Sequence, residues 1–243
     1  MKRALFEQLL AARADKRPVV LVTALQSGEQ ALVFGEGEGE GEGEGEGNSD
    51  LGLAGEVLDA ARDALRAGRS RMLDAAPAGA TFLHVFDPPL RLFVIGAVHI
   101  AQALAPMADM LGYGVTVIDP RGAFASIQRF SGLRVLDAWP DEGLQGEHLD
   151  ARSAVVTLTH DPKLDDPALA AALGSDAFYI GCLGSRRTHG KRLERLSAAG
   201  FDETALARLH GPVGLDIGAS SPAEIATSIL AQLTQTLRRG PRP

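Results

Sequence analysis

From Leu90 onward the chain alternates short, continuous apolar runs with stretches of helical periodicity, and no other feature restricts its fold as tightly. The runs are LRLFVIG (90–96), GVTVID (114–119), LRVLD (133–137), AVVTLTH (154–160) and DAFYIG (176–181). They lack an in–out alternation, as strands buried on both faces do. Helical patterns fall over roughly 99–111, 166–173, 186–198, 203–209 and 222–238. This order predicts an α/β fold, a Rossmann-like parallel sheet with helices on both faces, over residues 90–243. The last helix has a legible start: Ser221 as N-cap, Pro222 at the first helical position and Glu224 completing a capping box. Pro106 interrupts the first helical pattern, removes one hydrogen bond and predicts a bend there.

Residues 1–89 read differently, as a small α+β lobe. A helix is expected over 2–14. The apolar runs Val19–Leu25 and Ala31–Phe34 flank the turn signal QSGEQ and predict a hairpin. A helical stripe follows over Leu51–Arg66, then a strand, TFLHVF (81–86), closed by Asp87-Pro88-Pro89. The two prolines are a natural hinge between the regions. Between hairpin and helix lies a Gly/Glu repeat, GEGEGEGEGEGEG, within the loop 35–50. Alternate glycines and mutually repelling carboxylates cannot build a core, so this loop is expected to be disordered.

The formal net charge of the 243-residue chain is -7, and six of its glutamates lie in that repeat, so the remainder is close to neutral. A near-neutral body argues against a sequence-independent nucleic-acid binder, which needs a basic face. Cys182 is the one cysteine, which rules out an intrachain disulfide and any multi-cysteine zinc or iron–sulfur site. No apolar stretch reaches about 18 residues, so no membrane span is expected. The N-terminal segment reads as an amphipathic helix rather than a signal peptide, and a cytoplasmic location follows as the default.

Ligands of open parallel sheets bind where the strands end, so the turns there carry the candidate chemistry. The first is Gly96-Ala97-Val98-His99-Ile100-Ala101, between a strand and a helix, as in a dinucleotide fingerprint G-x-G-x-x-G/A. Asp119 ends the next strand 23 residues after Gly96, where an acidic ribose acceptor is expected. Val98 stands at the second glycine position, and its branched side chain obstructs the usual pyrophosphate pose. The loop therefore either holds a nucleotide-like moiety in an altered way or keeps only a packing role.

The second turn is Gly181-Cys182-Leu183-Gly184-Ser185-Arg186-Arg187. Gly184 permits the turn, Ser185 caps a helix, and Arg186 and Arg187 add fixed charge, which together read as a phosphate cradle. Solvated arginines at a helix start are the competing reading. The third is Thr159-His160-Asp161, facing the same crevice or merely turning into Pro162. The fourth is the glycine-rich segment around Asp216, to which the residues assign no chemistry. Cys182 reads as a small buried hydrophobe, with a thiol activated by the nearby arginines as the alternative. His99, His160, His189 and His210 show no H-E-x-x-H or other ligand spacing, so no protein-ligated metal is expected. No G-x-S-x-G elbow or Walker loop is present.

The segments FVIGAVHIAQALAPMADMLGYGVTVIDPRGAFAS, LTHDPKLDDPAL, YIGCLGSRRTHGKRLERL and HGPVGLDIGASSPAEIA closely resemble, in order, those of the XdhC/CoxI family. These accessory proteins mature molybdenum hydroxylases such as xanthine dehydrogenase and carbon monoxide dehydrogenase. The resemblance implies a non-catalytic chaperone that binds the molybdenum cofactor, as molybdopterin or its cytosine dinucleotide, and hands it to the apo molybdenum hydroxylase. It also implies support for cofactor sulfuration, which brings in a cysteine desulfurase as a partner. Arg121, in the DPRG stretch, joins the cofactor-binding residues on the same grounds. Val98 and Cys182 depart from the family pattern, which usually has glycine and alanine there. The family's N-terminal glycine- and cysteine-containing motif is not found in residues 1–89, so the chain looks like a short form. An NAD(P)-binding oxidoreductase using the same crevice is the alternative. A homodimer is the expected assembly.

Overall fold

The computed structural model describes residues 2–15, 17–34, 55–74, 79–122 and 130–239. The Gly/Glu loop and the first residues of the helical stripe at Leu51 lie outside the described residues. The chain divides into two compact units, Met1–Pro88 and Pro89–Pro243.

In the first unit, β1 (Val19–Ala24) and β2 (Gln30–Phe34) form the expected hairpin, with Val19 opposite Phe34 and Thr23 opposite Gln30. β4 (Thr81–Phe86) pairs antiparallel with the other edge of β1, and β3 (Arg71–Leu73), unmarked in the sequence, pairs with β4. The sheet order is β2-β1-β4-β3. A helix covers each face. Val20, Val22 and Ala24 pack with Val57, Ala61 and Ala64 of α2 (Glu56–Ala67), while Val19 and Leu21 pack with Leu5, Leu9 and Ala12 of α1 (Arg3–Ala14). Burial on both sides explains why β1 reads as an unbroken apolar run.

The second unit holds β5 (Arg91–Ile95), α3 (His99–Met110), β6 (Gly114–Ile118), β7 (Arg134–Leu136) and α4 (Pro140–Leu144). These are followed by β8 (Ser153–Thr157), α5 (Pro162–Leu173), β9 (Tyr179–Cys182), α6 (Arg186–Ala198), α7 (Glu203–Leu206), β10 (Leu209–His210) and α8 (Pro222–Arg239). Every pairing in its sheet is parallel, and the order is β10-β9-β8-β5-β6-β7. The chain starts in the middle, winds outward through β6 and β7, then returns to β8 on the other side of β5. This is the strand order of a dinucleotide-binding fold, with its reversal between β5 and β8. Leu92, Val94, Val115, Val117 and Val156 face α3 and α8; Phe93, Ile95, Ile118 and Val155 face the layer containing α5 and α6. Alternate residues enter opposite cores, so no polar face interrupts the runs.

Several boundaries differ from expectation. α5 begins at Pro162, not near 166, because Asp161 caps it and Pro162 takes the first helical position, where a missing N–H costs nothing. The helix expected over 203–209 stops at Leu206, and Leu209 and His210 instead add an edge strand to β9. α3 runs through Pro106 to Met110 as one helix. The α8 capping box is present: the Glu224 carboxylate accepts from the Ser220 and Ser221 N–H groups at 2.9 and 2.8 Å, and Ser221 Oγ accepts from Glu224 N–H at 3.3 Å.

Candidate functional site

The rim forms where β5, β6, β8 and β9 end, with Ile95 level with both Ile118 and Thr157. Gly96 turns the chain out of β5 at φ +102°, and a Cβ there would stand 2.4 Å from Thr159 Cγ2. Glycine is thus required by conformation and by the close approach of the β8 loop. Ala97 follows, fully buried, and Val98 is the N-cap of α3 without a side-chain cap bond. His99 is exposed at the first turn.

Asp119 is wholly buried at the end of β6. Its Oδ2 accepts from Ala97 N–H at 2.8 Å and Arg121 Nη2 at 2.7 Å; its Oδ1 accepts from Arg121 N–H at 3.0 Å and Arg121 Nε at 2.8 Å. A carboxylate has about four lone-pair sites, so these four donors saturate it. Burial alone would raise the Asp119 carboxyl, but the Arg121 and Ala97 bonds outweigh it and hold the group below its ordinary value. The residue expected as a ribose acceptor instead ties the β5 loop to the β6 loop and presents the Arg121 guanidinium. That guanidinium also feels the charges of Asp161 and Asp165.

The β8 loop is ordered by short-range bonds. Thr159 Oγ1 accepts from Asp161 N–H at 3.1 Å and donates to Asp165 Oδ1 at 2.7 Å, while Asp161 Oδ1 caps Lys163 N–H at 3.0 Å. His160 is held between them at φ +63°, an uncommon conformation for a residue with a side chain. In the β9 loop, Gly184 has φ +146°, and Ser185 Oγ caps Thr188 N–H at 3.2 Å, as expected. Arg186 and Arg187 are exposed at the start of α6.

Beneath these loops lies a pair that the sequence reading missed. Asp165 Oδ2 and Arg192 Nη2 are 3.4 Å apart, with side chains only 1% and 2% exposed. Arg192 Nη2 also donates to the Leu183 carbonyl at 3.0 Å, but its Nε and Nη1 are buried without a partner. Burial raises the Asp165 carboxyl, against the pull of Thr159 and Arg192. A cavity of about 230 Å³ opens between α5 and α6, and His160, Asp165, Arg187, Lys191, Arg192 and Arg195 line it. Helical phase is the signal that marks Arg192, because it precedes the buried Leu196 by one turn and so points inward.

Two sequence candidates stand apart. Asp216 is exposed on a segment that Gly214 and Leu215 fasten to α8, through Gln232 Oε1 at 2.8 Å and the Ser228 carbonyl at 3.1 Å, and it does not line the cavity. Cys182 is wholly buried, and desolvation pushes its thiol up to about 12, so it is neutral at physiological pH. Among the described residues no three His, Cys, Asp or Glu side chains gather as metal ligands, and no helix is long and apolar enough to cross a membrane.

A parallel sheet with reversed strand order, and polar loops at that reversal, defines a Rossmann-type binding domain. The chain belongs to the XdhC Rossmann domain family, which it matches over residues 92–233. Among curated proteins it is similar to YqeB, an uncharacterized Escherichia coli protein, with 33% identity over 168 residues, covering 69% of this chain and 31% of the relative. It is 32% identical over 148 residues to PaoD of Escherichia coli, a molybdenum cofactor insertion chaperone, covering 61% of this chain and 40% of PaoD. A Bacillus subtilis protein named as a probable subunit of xanthine dehydrogenase is 31% identical over 159 residues, covering 65% of this chain and 46% of its own. The chain thus spans less than half the length of each of these relatives. A Bacillus halodurans structure described as a xanthine dehydrogenase shares the fold with a TM-score of 0.68 at 24% identity, over 98% of this chain and 68% of its own.

Proposed function

We propose that this chain is an accessory protein of a molybdenum hydroxylase, which holds the molybdenum cofactor at the carboxyl rim of β5, β6, β8 and β9 and passes it to the apo-enzyme. The observation that carries this reading is that segment 92–233, which matches the XdhC Rossmann domain family, is the segment that builds the rim. Similarity to an insertion chaperone supports the choice of cargo. The molybdenum of such a cofactor is held by the pterin dithiolene, so the protein need only grip the organic part and its phosphate. Arg187 and the capped starts of α5 and α6 supply donors for an anion, and Arg121, held on Asp119, adds positive charge beside them. Gly96 and Asp119 act by shaping the loops, and Asp119 acts through Arg121.

The same geometry weighs against an NAD(P) oxidoreductase. The Asp119 carboxylate has no lone pair left for a ribose hydroxyl, and at the head of α3 the branched side chain of Val98 stands where a dinucleotide fingerprint has glycine. The client is proposed to be of the xanthine or carbon monoxide dehydrogenase type, with a cysteine desulfurase acting on the held cofactor. Spectral titration tests the reading. Molybdopterin binds stoichiometrically, and NAD(P)H is neither bound tightly nor oxidised. Stoichiometric NAD(P)H binding with hydride transfer contradicts it.

A further inference from the structure

We infer that the cavity between α5 and α6 is a binding site for a phosphate monoester. Arginine, lysine and aspartate are seldom fully buried unless paired, and Arg192 is paired through only one nitrogen, over a long 3.4 Å contact to Asp165. Nε and Nη1 have no acceptor, although the side chain is all but inaccessible and forms part of the cavity wall. Leaving a buried charged donor unpaired is costly, and an anion bound in the adjoining cavity offsets that uncompensated charge.

The charge of the cavity points to the ligand. Arg187, Lys191, Arg192 and Arg195 line it against a single carboxylate, Asp165, with His160 at the β8 loop. Arg195 is already engaged by Asp166 at 2.6 and 2.9 Å, so the exposed Arg187 and Lys191 are the donors on offer, with the buried Arg192 charge in the wall behind them. A monoester presents three terminal oxygens and nearly two negative charges, which matches several cations converging from one helix. A diester offers less charge and fewer oxygens. A volume of about 230 Å³ admits the phosphate together with the first atoms of its ester.

This deepens the cofactor reading above and rests on it for the identity of the rest of the ligand. Within that reading, it assigns the terminal phosphate of molybdopterin, rather than the diphosphate of the dinucleotide form, to the α5–α6 cavity. The preference for a monoester stands on the cavity alone.

Calorimetric titration of the full chain at low salt with inorganic phosphate, phenyl phosphate and dimethyl phosphate tests the inference. Phenyl phosphate binds at least as tightly as inorganic phosphate, and dimethyl phosphate binds far more weakly. Lys191→Gln and Arg187→Gln, both at exposed helix positions, each weaken phenyl phosphate binding about tenfold or more. Arg238→Gln, on α8, leaves it unchanged. Absence of monoester binding, binding of free phosphate alone, or unchanged affinity in both cavity variants overturns the inference. Molybdopterin retention in the same proteins separates the two readings. Retention with unchanged phosphate affinity in the variants removes the cavity but keeps the chaperone. Monoester binding without retention does the reverse.

Discussion

At Gly96 two constraints meet, a left-handed backbone and a Thr159 methyl that would lie 2.4 Å from any added Cβ. Gly96→Ala is expected to cost at least about 2 kcal/mol, from conformational strain and overpacking together, read as a lower urea midpoint with unchanged slope. Asp119 gives a pH-dependent prediction. Its folded pKa is depressed, so its contribution is present above the unfolded value of about 3.9 and is lost as pH falls through the folded one. Asp119→Asn should destabilise the protein near neutrality by about 1.5–3 kcal/mol, and the gap to wild type should shrink as the solution is acidified below pH ~4. A gap independent of pH contradicts the proposed latch. The motif placed both residues at the rim from sequence, but could not reveal that Arg121 and Ala97 saturate Asp119. Spacing identifies a carboxylate and says nothing of which donors reach it. Arg192 was hidden for another reason: within RRTHGKRLERL every arginine looks solvated, and only its phase with Leu196 betrays it.

Among the elements, strands covered by helices on both sides were the easiest to read, because most inward residues of either face are apolar, with Thr116, Ser153 and Thr157 as buried exceptions. The short pieces β3, α4 and β10 carried no usable period, since two to five residues cannot display one. The start of α5 was obscured because Asp161-Pro162 suits a turn and a helix entry equally, and tertiary contact through Thr159 and Asp165 decides between them. The β5–α3 turn yields a prediction at this scale. If Val98 blocks a conventional dinucleotide pose at the head of α3, Val98→Gly should strengthen NAD(P) binding, measured by fluorescence titration of NAD(P)H. Unchanged affinity means that the Val98 side chain is not the obstacle.

For the molecule as a whole, alternating strands and helices announced a parallel sheet, and the resemblance of four successive segments narrowed it to one family, which the match over 92–233 then showed. The order β10-β9-β8-β5-β6-β7 brings the loops after β5, β6, β8 and β9 to one edge, although they are scattered along the chain. The central claim is that this edge carries a phosphorylated pterin. Purification from a molybdenum-replete host, followed by mass identification of the bound small molecule, tests it most directly. The account predicts a molybdenum-bearing pterin ending in a phosphate monoester. A nicotinamide dinucleotide as the bound species would contradict it.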